Sequence, residues 1–266
     1  MNVEVIATGR MARAPFDCPT LLASDAHMNR NGAQNNFGEE NAKLFRGFLG
    51  AYLPTAWRVI LAGDWWDIWE ALRLGLILTA NDLTCALLRR YRVLCLKGNH
   101  DEDAVKQGIA RYFPTWEFAE IIDTPDVRIE HGHRLDPACS GTWAWIGRAA
   151  TFAWACLETV YVGRLLRPLM RVVNRRRMTT ARRRSGNQVY IDDAVNRVRE
   201  AQKEGRQPQV LFAGGHSHKE LLLEIAPGIY YLNLGSWTGK GVGYAAQIIG
   251  RDITLFRITN STRRAA

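Results

Sequence analysis

The sequence has no apolar run long enough to cross a bilayer, no cysteines at C-x-x-C spacing, no internal repeat and no surplus of acidic residues. Its most apolar stretch, Ala149 to Leu157, is bounded by Arg148 and Glu158, far short of the ~20 residues a spanning helix needs. Met1 to Arg10 contains Glu4 and lacks a charged start followed by an apolar run, so no secretory signal is expected. Cys18, Cys85, Cys95, Cys139 and Cys156 are odd in number and unpaired by spacing, which reads as free thiols in a reducing compartment. The expected location is cytoplasmic, with peripheral contact at the inner face of the membrane as a further expectation.

The deficit of acid has a counterpart. Of 266 residues, 35 are Lys or Arg against 26 Asp or Glu, a net charge of +9. A basic surface suits an anionic partner: a phosphorylated substrate, an anionic membrane or nucleic acid. The excess is local, because nine arginines fall between Arg164 and Arg184. A hydrophobic fraction of 47% and a charged fraction of 23% are ordinary for a globular protein, and the length suits one large α/β domain with room for an insertion.

Short apolar, β-rich runs ending in Gly or a polar cluster predict strands at Thr20–Ala23, Arg58–Ala62, Arg92–Leu96, Val127–Glu130, Gln209–Ala213 and Ile229–Leu234. Two more, near Ala245–Ile249 and Ile253–Ile258, close the chain. Helices are expected at Glu39–Leu49, Trp69–Leu88 and Glu102–Arg111. Alternating strands and helices imply a layered α/β fold, and strands clustered late in the chain imply antiparallel pairing, so mixed sheets flanked by helices are expected. About Pro137 to Arg206 reads as helix throughout, a helical insertion carried by a single domain spanning residues 1–266.

Five polar clusters each follow an apolar strand run. They are Ser24-Asp25-Ala26-His27, Gly63-Asp64-Trp65-Trp66-Asp67, Gly98-Asn99-His100-Asp101, His131-Gly132-His133 and Gly214-Gly215-His216-Ser217-His218. In open α/β sheets, ligands bind outside the carboxyl ends of the strands, so five such clusters should converge on one crevice. Asp, Asn and His offer oxygen and imidazole nitrogen with no thiolate, a set that suits Mn²⁺, Fe or Zn²⁺ and tolerates Mg²⁺. Asp25 and His27 share one face if the turn is extended, and His216 and His218 repeat that spacing. A carboxylate such as Asp64 can bridge two cations, while Asn99 adds an amide oxygen without charge. Gly63, Gly98, Gly132 and Gly215 sit beside these residues, where the missing side chain permits positive φ or close backbone approach. A lone His or Asp in a turn is ordinarily structural; all five clusters in order, each after a strand, are not.

In that order these motifs resemble the calcineurin-like metallophosphoesterases. The resemblance covers about residues 20 to 240, apart from the insertion. It implies a phosphoester or pyrophosphate hydrolase with two divalent cations, Mn²⁺ foremost. Asp25, His27 and His218 would hold the first cation and Asn99, His131 and His216 the second, with Asp64 shared. His100 would act as the active-site histidine that stabilises the transition state or protonates the leaving oxygen. Asp101 would orient its ring. His133 is read equally as a pocket residue or an exposed loop residue.

The insertion carries a second resemblance. Arg164, Arg167, Arg171 and Arg175 form one helical stripe beside Leu166, Leu169 and Val173. Upstream, Trp143, Ile146, Ala150, Trp154 and Leu157 repeat at helical spacing. Such a segment can lie in a membrane interface or pack as a cap with its arginines solvated. A helical segment after the His-Gly motif, with Asn233-Leu-Gly-Ser-Trp237 after Gly-His-x-His, is similar to the UDP-2,3-diacylglucosamine hydrolases of lipid A synthesis and their relatives. This implies a lid over acyl chains, with Trp143, Trp154, Arg164 and Arg167 as substrate-binding residues. The best-studied members often place Arg where this chain has His100 and Asp where it has His133. A soluble phosphoesterase acting on nucleotides or phosphoproteins is the alternative. Nucleic-acid binding through the triplets Arg175–Arg177 and Arg182–Arg184 ranks below both, because no aromatic stacking module accompanies them.

Overall fold

A computed structural model of the chain describes residues 1–29, 37–52, 54, 57–71, 73–136, 187–239 and 241–260, with Trp69 and Glu70 described in backbone only. Among the described residues, twelve strands form two mixed sheets flanked by helices. In chain order they are β1 (Asn2–Arg10), β2 (Thr20–Ala23), β3 (Arg58–Ala62), β4 (Arg92–Leu96), β5 (Glu117–Ala119), β6 (Ile121–Asp123), β7 (Val127–Glu130), β8 (Leu211–Gly214), β9 (Leu221–Ala226), β10 (Ile229–Asn233), β11 (Val242–Ile249) and β12 (Asp252–Thr259). The helices are α1 (Gly38–Tyr52), α2 (Ile68–Ala71), α3 (Leu74–Ala80), α4 (Asp82–Leu88), α5 (Glu102–Lys106) and α6 (Gln188–Lys203).

The first sheet has seven strands in the order β1-β12-β11-β2-β3-β4-β5, with β2 to β5 parallel and β11, β12 and β1 joining antiparallel. The second has the order β6-β7-β8-β10-β9, its centre parallel and its edges antiparallel. Alternation along the strands builds the layers. Leu21 and Ala23 of β2, with Val59 and Leu61 of β3, face α1 to α5 and pack with Phe45, Phe48 and Trp65. Leu22, Ile60, Ala62 and Leu96 face the other way, against Val127, Ile129, Leu211 and Leu232 of the second sheet. Tyr190, Ala194 and Val198 of α6 cover that sheet's far side through Phe212, Ile229 and Tyr231. The order of layers is helices, sheet, sheet, helix. Strands buried on both faces explain the unbroken apolar runs in the sequence.

The eight expected strands are present. Four more, β1, β5, β6 and β9, were not expected: β5 and β6 are three residues each, β1 is an edge strand with Glu4 and Val5 exposed, and β9 is an edge strand whose apolar run Leu221-Leu222-Leu223 is interrupted by Glu224. The expected helix at Trp69–Leu88 is three short helices, α2 to α4. Glu102–Arg111 breaks at Gly108, whose φ of +80 separates α5 from a 3-10 turn at Ile109–Arg111. Residues 188–203 of the expected insertion are α6, a layer of the core and not part of a lid. No helix among the described residues is long and apolar enough to cross a membrane.

Candidate metal centre

The parallel strands of both sheets deliver the five polar clusters to one place. The loop after β2 is hydrogen-bonded to the loop after β3: Asp25 N–H donates to the Gly63 carbonyl (3.1 Å), His27 N–H to that of Asp64 (2.9 Å) and Met28 N–H to that of Trp65 (2.9 Å). From the second sheet, Gly215 N–H donates to the His131 carbonyl (3.2 Å) and Leu234 N–H to the Gly214 carbonyl (2.9 Å). Trp237 N–H crosses between sheets to the Asp25 carbonyl (3.0 Å).

Backbone strain concentrates here. Among the described residues, the non-glycine residues with positive φ are Asp25 (53), His27 (47), Asp64 (51), His216 (66) and His218 (56). The left-handed region costs a residue with a Cβ about 1–2 kcal/mol, so the five together forfeit roughly 5–10 kcal/mol, as much as the net stability of many domains. All five are residues expected from the sequence to ligate metal. The Asp25–His27 turn is therefore not extended, as the i, i+2 argument assumed; two left-handed residues bring both side chains inward instead. Gly63 and Gly132 take positive φ, as expected, at 89 and 103. Gly98 and Gly215 serve through close approach: a Cβ would collide with Asp64 Oδ1 at Gly98 and with Asp25 Oδ2 at Gly215.

Among the described residues, three groups of side chains have ligand atoms close enough to hold an ion: first Asp25, His27 and His218, second Asp64, His131 and His216, and third His27, Asp67 and His100, which shares His27 with the first. In the first, His218 Nε2 lies 3.0 Å from Asp25 Oδ1 and His27 Nε2 lies 3.8 Å from it. Asp25 Oδ1 and His27 Nε2 are nevertheless buried without a hydrogen-bond partner. In the second, His131 Nε2 lies 3.1 Å from Asp64 Oδ2 and 3.3 Å from His216 Nδ1. Asp64 Oδ2 is also 3.7 Å from His27 Nε2, which places this carboxylate between the first two groups. Asn99 Oδ1 is buried with no hydrogen-bond partner. Buried polar atoms are ordinarily satisfied; here three orphans and a set of converging oxygen and nitrogen lone pairs fit cations. The expected ligands are thus brought together.

Electrostatics agree. Burial opposes the charge on Asp25, but His131 and His218 hold its carboxyl well below the usual range. Burial likewise opposes Asp64, and His131 and His100 outweigh it. His27 and His131 are raised despite burial, by Asp25 and Asp67 for the first and by Asp64 and Asp25 for the second. The carboxylates are thus ionised and demand positive charge around them.

The surrounding residues fix these donors. His131 Nδ1 donates to the Ala62 carbonyl at 3.0 Å, leaving Nε2 to face the centre. His216 Nε2 lies 3.1 Å from Asp136 Oδ2, leaving Nδ1 inward. Such outer partners set the tautomer of a ligating histidine. Asn233 Nδ2 donates to the Gly215 carbonyl at 2.9 Å and to Ser217 Oγ at 3.1 Å, bracing the His216–His218 turn. Asp136 and Asn233 brace the candidate centre and were not assigned from the sequence. Asn233 stands in a motif noted there, and Asp136 follows His131 by five residues with no pattern to mark it.

One role changes hands. Asp101 was expected to orient His100, but its carboxylate accepts backbone N–H groups of Trp65 (3.0 Å), Trp66 (2.8 Å) and Gly98 (2.8 Å). It ties the loop after β3 to the loop after β4, and burial with the nearby Asp64 charge pushes its carboxyl up to about 6. Asp67 partners His100 instead, with Oδ1 3.1 Å from Nδ1. Burial opposes the Asp67 charge, yet His100 and His27 hold its carboxyl well below the usual range. His133 lines a cleft beside Asn99 and His131, and burial together with His131 pushes its imidazole down to about 4. Trp143, Trp154, Arg164 and Arg167 lie outside the described residues.

No family model and no curated protein matches the chain. Among solved structures, the chain is similar to a protein of unknown function from Aquifex aeolicus at 12% identity and a TM-score of 0.35, covering 74% of this chain and 78% of that one. A likeness of that size carries no argument about function.

Proposed function

We propose that this chain is a metal-dependent phosphoesterase of the calcineurin-like type, with the four layers and the buried centre arranged around two divalent cations. The observation that carries the reading is the coincidence of strain and chemistry: Asp25, His27, Asp64, His216 and His218 all hold left-handed backbone, and all contribute atoms to one centre. Strain of this kind persists at functional sites, where the surroundings over-determine it. Asp25, His27 and His218 would hold one cation and Asn99, His131 and His216 the other, with Asp64 between them. Mn²⁺ is the ion to test first, since the donor set contains oxygen and imidazole nitrogen and no thiolate.

The bound cations would supply Lewis-acid activation of water and of phosphoryl oxygen. The chain supplies the rest. Asp67 fixes the Nδ1 side of His100, so a proton is handed over at Nε2, toward the departing ester oxygen. Asp101 keeps the loops after β3 and β4 in register, so that Asp64, Asp67 and His100 stay at fixed separation. His100 N–H donates to Asp64 Oδ1 at 2.9 Å, tying the acid to the shared carboxylate.

Hydrolysis of an aryl phosphodiester in Mn²⁺, silenced by EDTA and restored by added metal, tests the reading. Asp64→Ala should abolish turnover and metal binding together; retained turnover in a folded Asp64→Ala protein would overturn the site as drawn. The finer substrate expectation, a UDP-linked diacyl sugar, rests on the insertion expected at about 137–206, of which 137–186 lie outside the described residues, and on the Asn233–Trp237 motif. Release of UMP from that lipid far faster than cleavage of the aryl diester supports it. Cleavage of the diester alone removes the lipid and keeps the phosphoesterase.

A further inference from the structure

We propose that Asn187 is a positioning residue for the metal centre: working through Ser217, it holds the turn that carries His216 and His218, and so sets the affinity of the first cation. The proposal rests on the two-cation reading above and goes beyond it, because Asn187 lies outside every group of described side chains that could hold an ion.

The turn alternates in role. Its two histidines belong to different ligand groups, His218 with Asp25 and His216 with Asp64. Both have left-handed backbone, φ +66 at His216 and +56 at His218, which such residues keep only where their surroundings impose it. Ser217, between them, is where the surroundings take hold. Its hydroxyl donates to Asn187 Oδ1 at 2.7 Å, and accepts from Asn233 Nδ2 at 3.1 Å and from the Lys219 N–H at 3.3 Å. A hydroxyl has one proton and two lone pairs to offer, so this one is fully used.

Two amides meet on that hydroxyl, and each spans one histidine. Asn233 Nδ2 also donates to the Gly215 carbonyl at 2.9 Å, so Asn233 reaches from residue 215 to residue 217 across His216. Asn187 Nδ2 donates to the Lys219 carbonyl at 3.1 Å, so Asn187 reaches from residue 217 to residue 219 across His218. Every group in this clamp is uncharged. It acts on where the ligand rings sit and not on their charge.

The helix itself makes no use of the Asn187 side chain. Asn187 occupies the N-cap of α6, where an asparagine ordinarily accepts a hydrogen bond from the first N–H groups of its own helix. Here the side chain makes no capping bond; its oxygen accepts from Ser217, 30 residues away in sequence. The backbone carbonyl of Asn187 still starts the helix, accepting from the Ile191 N–H at 2.9 Å. Tyr190, Ala194 and Val198 pack α6 on the second sheet, so the grip on His218 is anchored in the core.

The test is Mn²⁺ titration of the full chain by calorimetry, wild type against Asn187→Ser and Ser217→Ala, with thermal melts in EDTA. Serine caps a helix as well as asparagine does, but it is too short to span from residue 217 to residue 219. Asn187→Ser should therefore melt in EDTA at the wild-type temperature and bind one of its two ions about tenfold more weakly, the low end of what losing an outer partner costs. Ser217→Ala removes the meeting point of both amides and should weaken both ions. Wild-type affinity for both ions in Asn187→Ser overturns the proposal. So does a loss of affinity accompanied by a lower melting temperature in EDTA, which would make Asn187 a support of the fold and not of the ligands. A wild-type chain that binds no Mn²⁺ overturns it together with the two-cation reading. If the binding pattern holds while the wild type cleaves no aryl phosphodiester in Mn²⁺, the phosphoesterase reading alone is lost.

Discussion

His216 Nδ1 lies 3.3 Å from His131 Nε2, and each ring has its other nitrogen committed, His216 Nε2 to Asp136 and His131 Nδ1 to the Ala62 carbonyl. Two lone pairs facing each other need something positive between them: a shared proton without metal, or a cation with it. Asp64 Oδ2, 3.1 Å from His131 Nε2, adds a full negative charge at the same point. Mn²⁺ should therefore stabilise the fold strongly. At a hundredfold excess over the dissociation constant, linkage gives about 2.7 kcal/mol, which for a chain of this size raises the melting temperature by roughly 5–10 °C. Differential scanning fluorimetry with Mn²⁺, then EDTA, reads the shift directly. Identical melting curves in both would refute a cation at this point.

Asp136 extends the argument outward. It is the acceptor that fixes the His216 tautomer, and it belongs to no recognised motif. Asp136→Asn keeps an oxygen at the same reach and removes the charge. Loss of an outer partner of this kind lowers metal affinity by about 10–100-fold, so Mn²⁺ titration of the variant should show that fall while the fold survives. Affinity equal to wild type would reduce Asp136 to a packing role.

The sequence disclosed the candidate ligands far better than their geometry. Asp25, His27, Asp64, Asn99, His216 and His218 were legible because each follows a largely buried strand that reads as an apolar run, and His131 because it follows β7, where Val127 and Ile129 alternate with Arg128 and Glu130. The edge strand β1 and the three-residue β5 and β6 lack that signature. Their pairing is a tertiary fact: β1 finds β12 nearly the whole length of the chain away. The left-handed backbone at Asp25, His27, Asp64, His216 and His218 was also hidden, because a propensity reading assigns such φ values to glycine, and here the flanking loop hydrogen bonds impose them. Asp67 and Asp101 show the same limit. Both are acids in ligand motifs, and only the fold decides that Asp67 reaches His100 while Asp101 is consumed by three backbone N–H groups.

That division yields a kinetic prediction. His100→Gln should lower kcat by about 10²–10⁴-fold, the usual contribution of a positioned acid or base. Its Mn²⁺ affinity should stay near wild type if the ions sit in the Asp25–His27–His218 and Asp64–His131–His216 groups, and should fall if the third group, His27–Asp67–His100, holds one. Asp67→Asn should give a smaller loss in kcat, since it disturbs the ring's orientation and leaves the ring itself. Steady-state kinetics with calorimetric metal titration separate the two effects. A His100→Gln protein that turns over normally would remove His100 from the chemistry.

Alkaline stability tests the packing that holds the centre. Cys85 sits on the buried face of α4, and burial pushes its thiol from 9.0 up to about 12. Cys95 of β4 is raised well above its usual value by burial, with Asp101 adding to the effect. Burial pushes the Tyr231 phenol of β10 up to about 12. Each group must stay neutral in the folded chain, while the unfolded chain ionises it at its ordinary value. The folded state thus binds more protons between about pH 9 and pH 12, and stability falls as pH rises through that window. Below pH 9 these groups contribute no pH dependence. The slope is about 1.4 kcal/mol per pH unit for each group once its unfolded form is ionised. Urea midpoints in reducing buffer should be flat from pH 7.5 to 8.5 and fall clearly by pH 10.5. Over the same range Cys18, which is only partly buried, should alkylate well before Cys85 or Cys95. A midpoint unchanged at pH 10.5, or equal labelling of the three thiols, would mean that the packing between the first sheet and its helices is looser than the structure shows.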